Sequence, residues 1–478
     1  LRIAPSRYSY KESHLKWGRS HRIAAGAAAG PYRCVCYSRS PVPVNAGLRG
    51  SLPLNALSRM NPTARGLSVL YSSTLLSGLG WAMILPAIPV LASEFDVSLG
   101  FAAQTVTAFA LGRFAGTPVA GIIVDRFGSR TGMIGGPALV GLAALGAVAT
   151  PWFVMLLVMQ FVIGFGDVVW TMAREVAGID LVRSNQRGRV LSGFHGMHTG
   201  GLAVGPLLGG VLTVTFSFRA VFVAFAILAV AGMLLGAVAH HAKPSAGDTR
   251  AQASRTLSRF SLAIAARLRA LADLFKQIEP RFRPSYWAFV FATFAGFMFR
   301  LTVQNMLPLY ADWKLGLSPV EVGVLFSISG GVVFAMILPA GFVIDKIGRK
   351  WATVPSTILP GVAFVLIPFA DTFLQLAILV SILGVSNGLS LGSLATSTYD
   401  VVPEEARGRL QAARRTIAEV GGVGGPLLGG FLANAMNPGV PFLAYAPILI
   451  AAGLFLAFFA RETLVKNPVP EASGASSI

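Results

Sequence analysis

Long apolar runs separated by short polar turns make up most of the chain after residue 60. Twelve of these runs approach or exceed the ~20 mostly apolar residues that an α-helix needs to cross a bilayer. Numbered as spans 1 to 12, they cover residues 66–91, 98–122, 132–150, 152–177, 190–214, 219–240, 285–309, 319–342, 351–370, 373–398, 409–434 and 440–460. They are continuous and too long for the alternating ~10-residue strands of a membrane barrel. The pattern predicts an all-α polytopic membrane protein with twelve transmembrane helices.

The composition agrees with a membrane protein rather than with a large soluble core. Of the 478 residues, 54% are hydrophobic and 12% are charged, and the mean hydropathy is +0.66. Soluble domains carry about 25% charged residues. Both cysteines, Cys34 and Cys36, precede the first span, which excludes disulfides and cysteine-based catalysis from the membrane body.

The net charge of +19 would suggest a nucleic-acid partner in a soluble protein, but its placement indicates membrane topology. In the predicted outer loops only Arg219 and Lys314 are basic, whereas Lys and Arg are frequent on the side that carries both termini. Arg113 and Arg300 lie inside apolar runs. By the positive-inside rule, the side with both termini is cytoplasmic. We expect an integral protein of the cell membrane, in contact with lipid and without a nucleic-acid partner.

Residues 1–59 differ from the rest of the chain, because they contain ten Lys and Arg, one acid and no Met. Such a segment is typical of a transit peptide, which would place the protein in an organellar membrane. The interpretation we favour is a start at Met60, with extra translated sequence upstream. The predicted organisation is a basic extension (1–59), a six-helix bundle (60–240), a cytoplasmic linker (241–284), a second six-helix bundle (285–462) and a disordered tail (463–478).

The chain contains an internal repeat. The charged turn "GIIVDRFGSR" (121–130) reappears as "GFVIDKIGRK" (341–350), and "RGRVLSGFHGMHTGGLAVGPLLGG" (187–210) corresponds to "RGRLQAARRTIAEVGGVGGPLLGG" (407–430), both at an offset of 220 residues. The repeat predicts two duplicated halves of six spans. Membrane transporters often use such halves, with a substrate site between them.

These motifs resemble those of the major facilitator superfamily over residues 60–465. "GLAVGPLLGG" (201–210) is similar to the span-5 signature of its proton-coupled antiporters, and "GWAMILPAIP" (80–89) to the span-1 motif of the twelve-helix drug–proton antiporters. The resemblance implies two pseudo-symmetric six-helix bundles and proton-coupled efflux of small amphipathic compounds by a monomer. A metabolite or sugar importer of the same superfamily is the alternative.

The resemblance also assigns a gating role to the two charged turns. Their residues are Gly121, Asp125, Arg126, Gly128 and Arg130, and then Gly341, Asp345, Lys346, Gly348, Arg349 and Lys350. An Asp beside a helix N-terminus meets free backbone N–H groups. Basic residues of the first turn are placed to pair with acids of the other half, such as Glu404 or Glu405. The turns would then latch the cytoplasmic face shut. The alternative is that their positive charge only anchors the topology.

Small residues recur every four positions in spans 5 and 11. The predicted packing motif consists of Gly201, Gly205, Pro206, Gly209, Gly210, Gly421, Gly425, Pro426, Gly429 and Gly430. Small residues let helices approach closely in lipid, and an internal proline bends its helix. The resemblance implies that span 5 packs on span 8 and span 11 on span 2, at a seam where the halves rock.

Three ionisable residues inside the spans are candidates for proton coupling: Asp167, Arg113 and Glu419. Such residues are costly in a membrane and indicate function. Asp167 and Arg113 lie at similar depths in the first half, so they can form an ion pair. A carboxylate that alternates between an arginine and an apolar environment could load and release a proton. A static structural pair is the alternative.

The resemblance implies a central cavity lined by spans 1, 4, 7 and 10. Its candidate polar or aromatic liners are Trp81, Asp167, Trp170, Thr171, Arg300, Gln304, Asn305, Asn387 and Tyr399. Most of the remaining lining is apolar, which favours an amphipathic or hydrophobic small-molecule solute, with protons as the coupled ion. His195 and His198 lie one turn apart in span 5. Two ligands are too few for a metal site, so we expect no metal and no cofactor.

Other classes of function are less consistent with the sequence. An enzyme would need a nucleophile–base pair, a phosphate loop or a metal set, and none is recognisable. A scaffold would need a large soluble domain. The longest loop, the linker, instead keeps helical apolar spacing between Leu257 and Ile278 with arginines alongside. That pattern suits an interfacial helix on an anionic leaflet or one packed against helix ends.

Overall fold

The computed structural model describes residues 62–183, 186–238, 278–390, 393–402 and 407–462, and this part of the chain is helical without strands. The main helices of the first half are Pro62–Met83, Ile88–Glu94, Leu99–Ala102, Gln104–Ala149, Phe153–Asp180, Arg187–Thr215 and Phe218–Val238. Those of the second half are Arg283–Leu315, Pro319–Phe342, Arg349–Leu366, Phe373–Ser390, Ser393–Val401, Arg407–Ala435 and Val440–Phe459. The predicted extension 1–59, the tail 463–478 and the linker up to residue 277 lie outside the described residues.

The predicted twelve membrane crossings are confirmed. The described residues contain 11 helical stretches long and apolar enough to cross a membrane, and one of them, Leu99–Ala149, has 51 residues. At ~1.5 Å per residue this stretch is more than twice as long as the ~30 Å hydrocarbon layer. Its backbone breaks at Gly128, where φ is 83° and ψ is 162°. The stretch is therefore spans 2 and 3, joined by the first charged turn.

Gly128 holds a backbone conformation that is nearly exclusive to glycine and costs another residue about 1–3 kcal/mol. We expect Gly128→Ala to lower the thermal unfolding midpoint of the purified protein in detergent. Gly121 in the same motif provides the control, because it is helical and its Cβ position faces open space. Gly121→Ala should leave the midpoint unchanged or raise it. Equal effects of the two substitutions would contradict a strained turn at Gly128.

The two halves repeat the same internal packing. Span 1 lies against span 5, so closely that a Cβ on Gly209 would be 2.0 Å from the carbonyl oxygen of Met83. Span 7 lies against span 11 in the same manner, with a Cβ on Gly421 falling 2.5 Å from the carbonyl oxygen of Phe294. Only glycine permits such approaches, and the symmetry confirms the two pseudo-symmetric six-helix bundles.

Spans 5 and 8 join the halves at the end opposite the charged turns. A Cβ on Gly210 would lie 2.3 Å from the carbonyl oxygen of Pro319, and one on Gly323 would lie 2.4 Å from that of Pro206. Towards the other end the two spans diverge, since the nearest atom to a Cβ on Gly196 is 4.0 Å away. The contact between these spans is therefore tightest on the predicted outer side.

The glycine stripes have a different position from the one expected. Those that face spans of their own half are Gly201, Gly205, Gly209, Gly421, Gly425 and Gly429. The seam itself is formed by a neighbouring helix face, with Pro206 and Gly210 on span 5 and Gly430 on span 11, which approaches Gly100 in span 2. Adjacent residues on a helix point ~100° apart, so a four-residue repeat marks one face without revealing which neighbour covers it.

The two charged turns make different contacts. In the first turn, Asp125 and Arg126 are exposed, and an Arg130 N–H donates to the carbonyl of Ala237 in the same half at 3.4 Å. The proposed partners at positions 404 and 405 lie outside the described residues.

In the second turn the backbone break is at Gly348, with φ 149° and ψ 151°. The Glu462 carboxylate accepts the following backbone N–H groups of Arg349 at 2.9 Å and Lys350 at 3.1 Å. It therefore caps the N-terminus of span 9, where the helix dipole favours a negative charge. The side chain of Asp345 lies outside the described part of the chain.

Candidate functional site

A cavity of about 380 Å³ lies between the two halves. It is lined by spans 1, 2, 4 and 5 of the first half and by spans 7, 8, 10 and 11 of the second. The expected spans 1, 4, 7 and 10 are thus joined by four others. Both members of each inter-half pair, span 5 with span 8 and span 2 with span 11, contribute to the wall. Rocking the halves against one another would therefore reshape the cavity.

Asp167 on span 4 is the most enclosed acid of this wall, at 4% exposure. Its Oδ1 accepts the Ser77 hydroxyl from span 1 at 2.8 Å, and its Oδ2 pairs with Arg113 from span 2. The Arg113 side chain remains 27% exposed. Three spans of the first half therefore meet at one carboxylate, whose charge is balanced by a guanidinium that still reaches the cavity.

Arg174 also lines the cavity, although it is not among the liners predicted from the sequence. It is 2% exposed and lines the cavity two turns after Asp167. Its terminal N–H groups donate to Ser73 O at 3.0 Å, and to the hydroxyls of Ser77 at 3.4 Å and Thr171 at 3.0 Å. The seven-residue spacing from Asp167, which places both side chains on one helix face, was the available signal.

The second half presents Arg300 on span 7. Its Nε–H donates to Asn387 Oδ1 on span 10 at 2.7 Å, and a terminal N–H donates to the hydroxyl of Ser390. Gln304 lies one turn further along span 7, and its Oε1 is buried without a hydrogen-bond partner among the described residues. These groups form a polar wall opposite Asp167.

Span 11 adds a further ion pair. Arg415 and Glu419, one turn apart, place Nε and Oε1 at 3.5 Å. Glu419 is one of the ionisable residues predicted from the sequence, whereas Arg415 is not. Span 11 is rotated about its axis so that both side chains line the cavity.

Most of the remaining lining is apolar and aromatic. Trp81 and Phe109 stack with ring centroids 3.5 Å apart and an angle of 10° between the rings. Leu202, Phe299 and Phe326 continue this surface. The cavity therefore combines flat apolar walls with a few charged groups, as is usual for small-molecule sites.

Six of the nine predicted cavity residues line the cavity: Trp81, Asp167, Thr171, Arg300, Gln304 and Asn387. Two predictions were wrong. Trp170 is wholly buried within the first half, and its indole N–H donates to Ser73 at 2.9 Å. Asn305 is wholly buried against span 11, with its amide 3.4 Å from the Pro426 carbonyl. Each of these two residues is adjacent in sequence to a residue that does line the cavity, and adjacent side chains on a helix point ~100° apart. The side chain of Tyr399 lies outside the described part of the chain.

His195 and His198 both line the cavity. His195 Nδ1 lies 2.9 Å from the Leu191 carbonyl in its own helix. Among the described residues, no group of three or more His, Cys, Asp or Glu side chains could hold a metal ion. The two imidazoles therefore belong to the wall of the cavity.

Comparison with known proteins agrees with this architecture. The family model described as Major Facilitator Superfamily matches residues 70–330 and 289–478. The chain is 24% identical over 401 residues to the cis,cis-muconate transport protein of Acinetobacter baylyi, covering 82% of this chain and 93% of that protein. It is 21% identical over 396 residues to multidrug resistance protein 2 of Bacillus subtilis, covering 82% and 94%.

Solved structures share the fold at lower identity. A D-xylose–proton symporter superposes with a TM-score of 0.64 and 15% identity, covering 83% of this chain and 98% of the symporter. The peptide transporter POT in complex with sulfate superposes with a TM-score of 0.66 and 13% identity, covering 82% and 94%.

Proposed function

Because the chain belongs to the Major Facilitator Superfamily, we propose that it expels small amphipathic compounds from the cell in exchange for protons. It is an integral membrane transporter and not an enzyme. In the proposed mechanism the two six-span halves rock about the seams of spans 5 with 8 and 2 with 11. The central cavity then opens alternately to the two sides of the membrane.

The observation that carries proton coupling is the environment of Asp167. A buried carboxylate binds a proton more readily when it lacks a counter-ion and less readily beside an arginine. Arg113 supplies that counter-ion, and Glu419 on the other half lines the same cavity as Arg113. When the halves rock, the distance between Arg113 and Glu419 changes. We infer that Glu419 competes for Arg113 in one state, which leaves Asp167 free to hold a proton.

The charged turns complete this cycle in the proposal. With the cytoplasmic face closed, the basic residues of the first turn pair with acids of the second half. We place both termini in the cytoplasm and the protein in the cell membrane, following the distribution of Lys and Arg. One chain supplies all eight spans that line the cavity, so a monomer would be sufficient for transport.

Uptake of a metabolite is the second candidate function. It is favoured by the similarity, over most of both chains, to a protein named for muconate transport, whereas similarity to the multidrug resistance protein favours efflux. Proton-driven efflux and proton-driven uptake differ in the direction in which the solute moves relative to the protons.

The test is a transport screen in proteoliposomes that contain the purified full chain. A panel of amphipathic compounds and metabolites is followed with an imposed pH gradient and after an ionophore collapses it. We expect at least one compound to move against its concentration gradient, opposite to the proton flow, only while the pH gradient persists. Movement in the same direction as protons would support the importer. Equal rates after collapse for every transported compound would refute proton coupling.

A further inference from the structure

We propose that the solute of the central cavity is an organic anion whose carboxylate or sulfonate binds Arg300. This inference rests on the proposed function only in taking the cavity as the solute site. It depends neither on proton coupling nor on the direction of transport. It therefore defines the solute more narrowly than the amphipathic class above.

Arg300 is held in place by neutral groups. Both of its acceptors, Asn387 and Ser390, lie on span 10, so the guanidinium is anchored against one wall of the cavity. A guanidinium has five N–H donors in a planar fork. The two hydrogen bonds to span 10 leave donors for a ligand, and the anchoring reduces the rotational freedom that binding would otherwise have to remove.

Arg300 has no acid partner in the part of the chain that the structure describes. No carboxylate there lies within 4.0 Å of its guanidinium. A partly buried guanidinium without an acid is costly inside a membrane. A bound oxyanion is the group that would relieve this cost.

The other lining arginines are already balanced or saturated. Arg113 pairs with Asp167, and Arg415 lies 3.5 Å from Glu419. Arg174 donates to three oxygens of its own half and is almost inaccessible. Among the described residues of the wall, Arg300 therefore faces the cavity without an acid partner, and this is why we infer that it binds the anionic group of the solute.

The surroundings of Arg300 suit a planar body on the anion. The guanidinium carbons of Arg300 and Arg415 lie 5.8 Å and 5.9 Å from the centre of the Phe297 ring. On the first half, Trp81 and Phe109 also line the cavity, stacked on one another and each 5% exposed. A small aromatic or unsaturated acid could place its oxyanion on Arg300 and its body against these rings. Arginine binds carboxylates through two parallel hydrogen bonds, which adds specificity.

Matched probes of equal shape and different charge can test the inference. Calorimetric titration of the purified full chain would compare benzoate with benzamide and benzamidinium, benzenesulfonate with its sulfonamide, and adipate with its diamide. We expect at least one anion to bind about tenfold or more tightly than its neutral counterpart, since hydrogen bonds to charged groups are about twice as strong as neutral ones. Benzamidinium should bind more weakly than benzoate.

Three variants locate the anion. Arg300→Gln should abolish the preference for the anion, whereas Arg300→Lys should retain part of it because the charge remains. Arg219→Gln is the matched control, since Arg219 lies at the outer end of span 6 beside Glu94 at 3.5 Å, and it should behave as the wild type. Thermal unfolding of each variant verifies that the fold is intact.

The inference is overturned if no anion binds more tightly than its counterpart, or if Arg300→Gln keeps the full preference. If Arg300→Gln does not fold, the comparison of each anion with its neutral counterpart on the wild type, together with the binding measured for Arg300→Lys, still tests the inference. Because binding is measured without a pH gradient, loss of gradient-driven transport in proteoliposomes would refute proton coupling and leave this result standing. Anion-selective binding and proton-driven transport can therefore fail separately.

Discussion

Replacing Asp167 with asparagine is expected to abolish transport driven by a pH gradient while solute binding and downhill solute exchange persist. Asparagine keeps the size of the side chain and an oxygen that can accept from Ser77, but it cannot carry a proton between the two sides. A gradient of one pH unit is worth ~1.4 kcal/mol per proton. If transport is coupled as proposed, the wild type should concentrate a solute about tenfold per coupled proton, and Asp167→Asn should concentrate none. The measurement is solute accumulation in proteoliposomes with an imposed gradient.

Asp180 supplies the matched control, because it is an exposed acid at the end of the same helix. Asp180→Asn should accumulate solute as the wild type does. If Asp167→Asn still accumulates solute and responds to the gradient, Asp167 is a static structural partner of Arg113, and the proton must use another group. Loss of exchange as well as accumulation would indicate damage to solute binding rather than to coupling.

Adding a side chain at Gly209 or at Gly210 should have different consequences, although the two residues are adjacent. A Cβ added at Gly209 would meet the backbone of Met83 within its own half, at 2.0 Å, whereas one added at Gly210 would meet the backbone of Pro319 in the other half. Overpacking costs ~1–3 kcal/mol or more. The side chain added in Gly209→Val can be accommodated only if spans 1 and 5 move apart within their own bundle, so this substitution should lower the thermal unfolding midpoint. Gly210→Val can be accommodated by parting the halves, so it should open the outer seam.

Labelling from outside measures that opening. The only cysteines, Cys34 and Cys36, can be replaced by serine, and Leu85→Cys then reports on the cavity wall near the outer end of span 1. In Gly210→Val we expect an impermeant maleimide to label this position about tenfold faster, which corresponds to a shift of ~1.4 kcal/mol between the two states. Gly209→Val should not raise the labelling rate while it remains folded. Equal labelling of both variants would contradict a seam at Gly210.

The number of spans, their approximate ends and the duplication could be read from the sequence. An apolar helix must be about as long as the bilayer is thick, so span length is a local property. The break between spans 2 and 3 was also predictable, because Gly128 lies in a short polar turn between two apolar runs. The structure adds only the backbone angles that make glycine necessary there.

The lining of the cavity was harder to predict. Thr171 faces the cavity and Trp170 does not, although both are plausible liners by residue type. Which face of a helix meets solvent, lipid or another helix depends on its rotation about its own axis. That rotation is set by packing against neighbours that are distant in sequence. Arg174 and Arg415 were not predicted as liners for the same reason, since the sequence gives the depth of a residue along a helix and not the direction in which its side chain points.

The sequence by itself determined a twelve-span membrane protein of two related halves, because hydrophobic length and repeated motifs need no knowledge of distant contacts. Only the tertiary structure decided which glycines form the seam between the halves, that Arg174 and Arg415 face the cavity, and that Arg300 has no acid partner among the described residues. The physical reason is that helix association in a membrane depends on side-chain fit between surfaces, and the bilayer itself does not distinguish one apolar face from another.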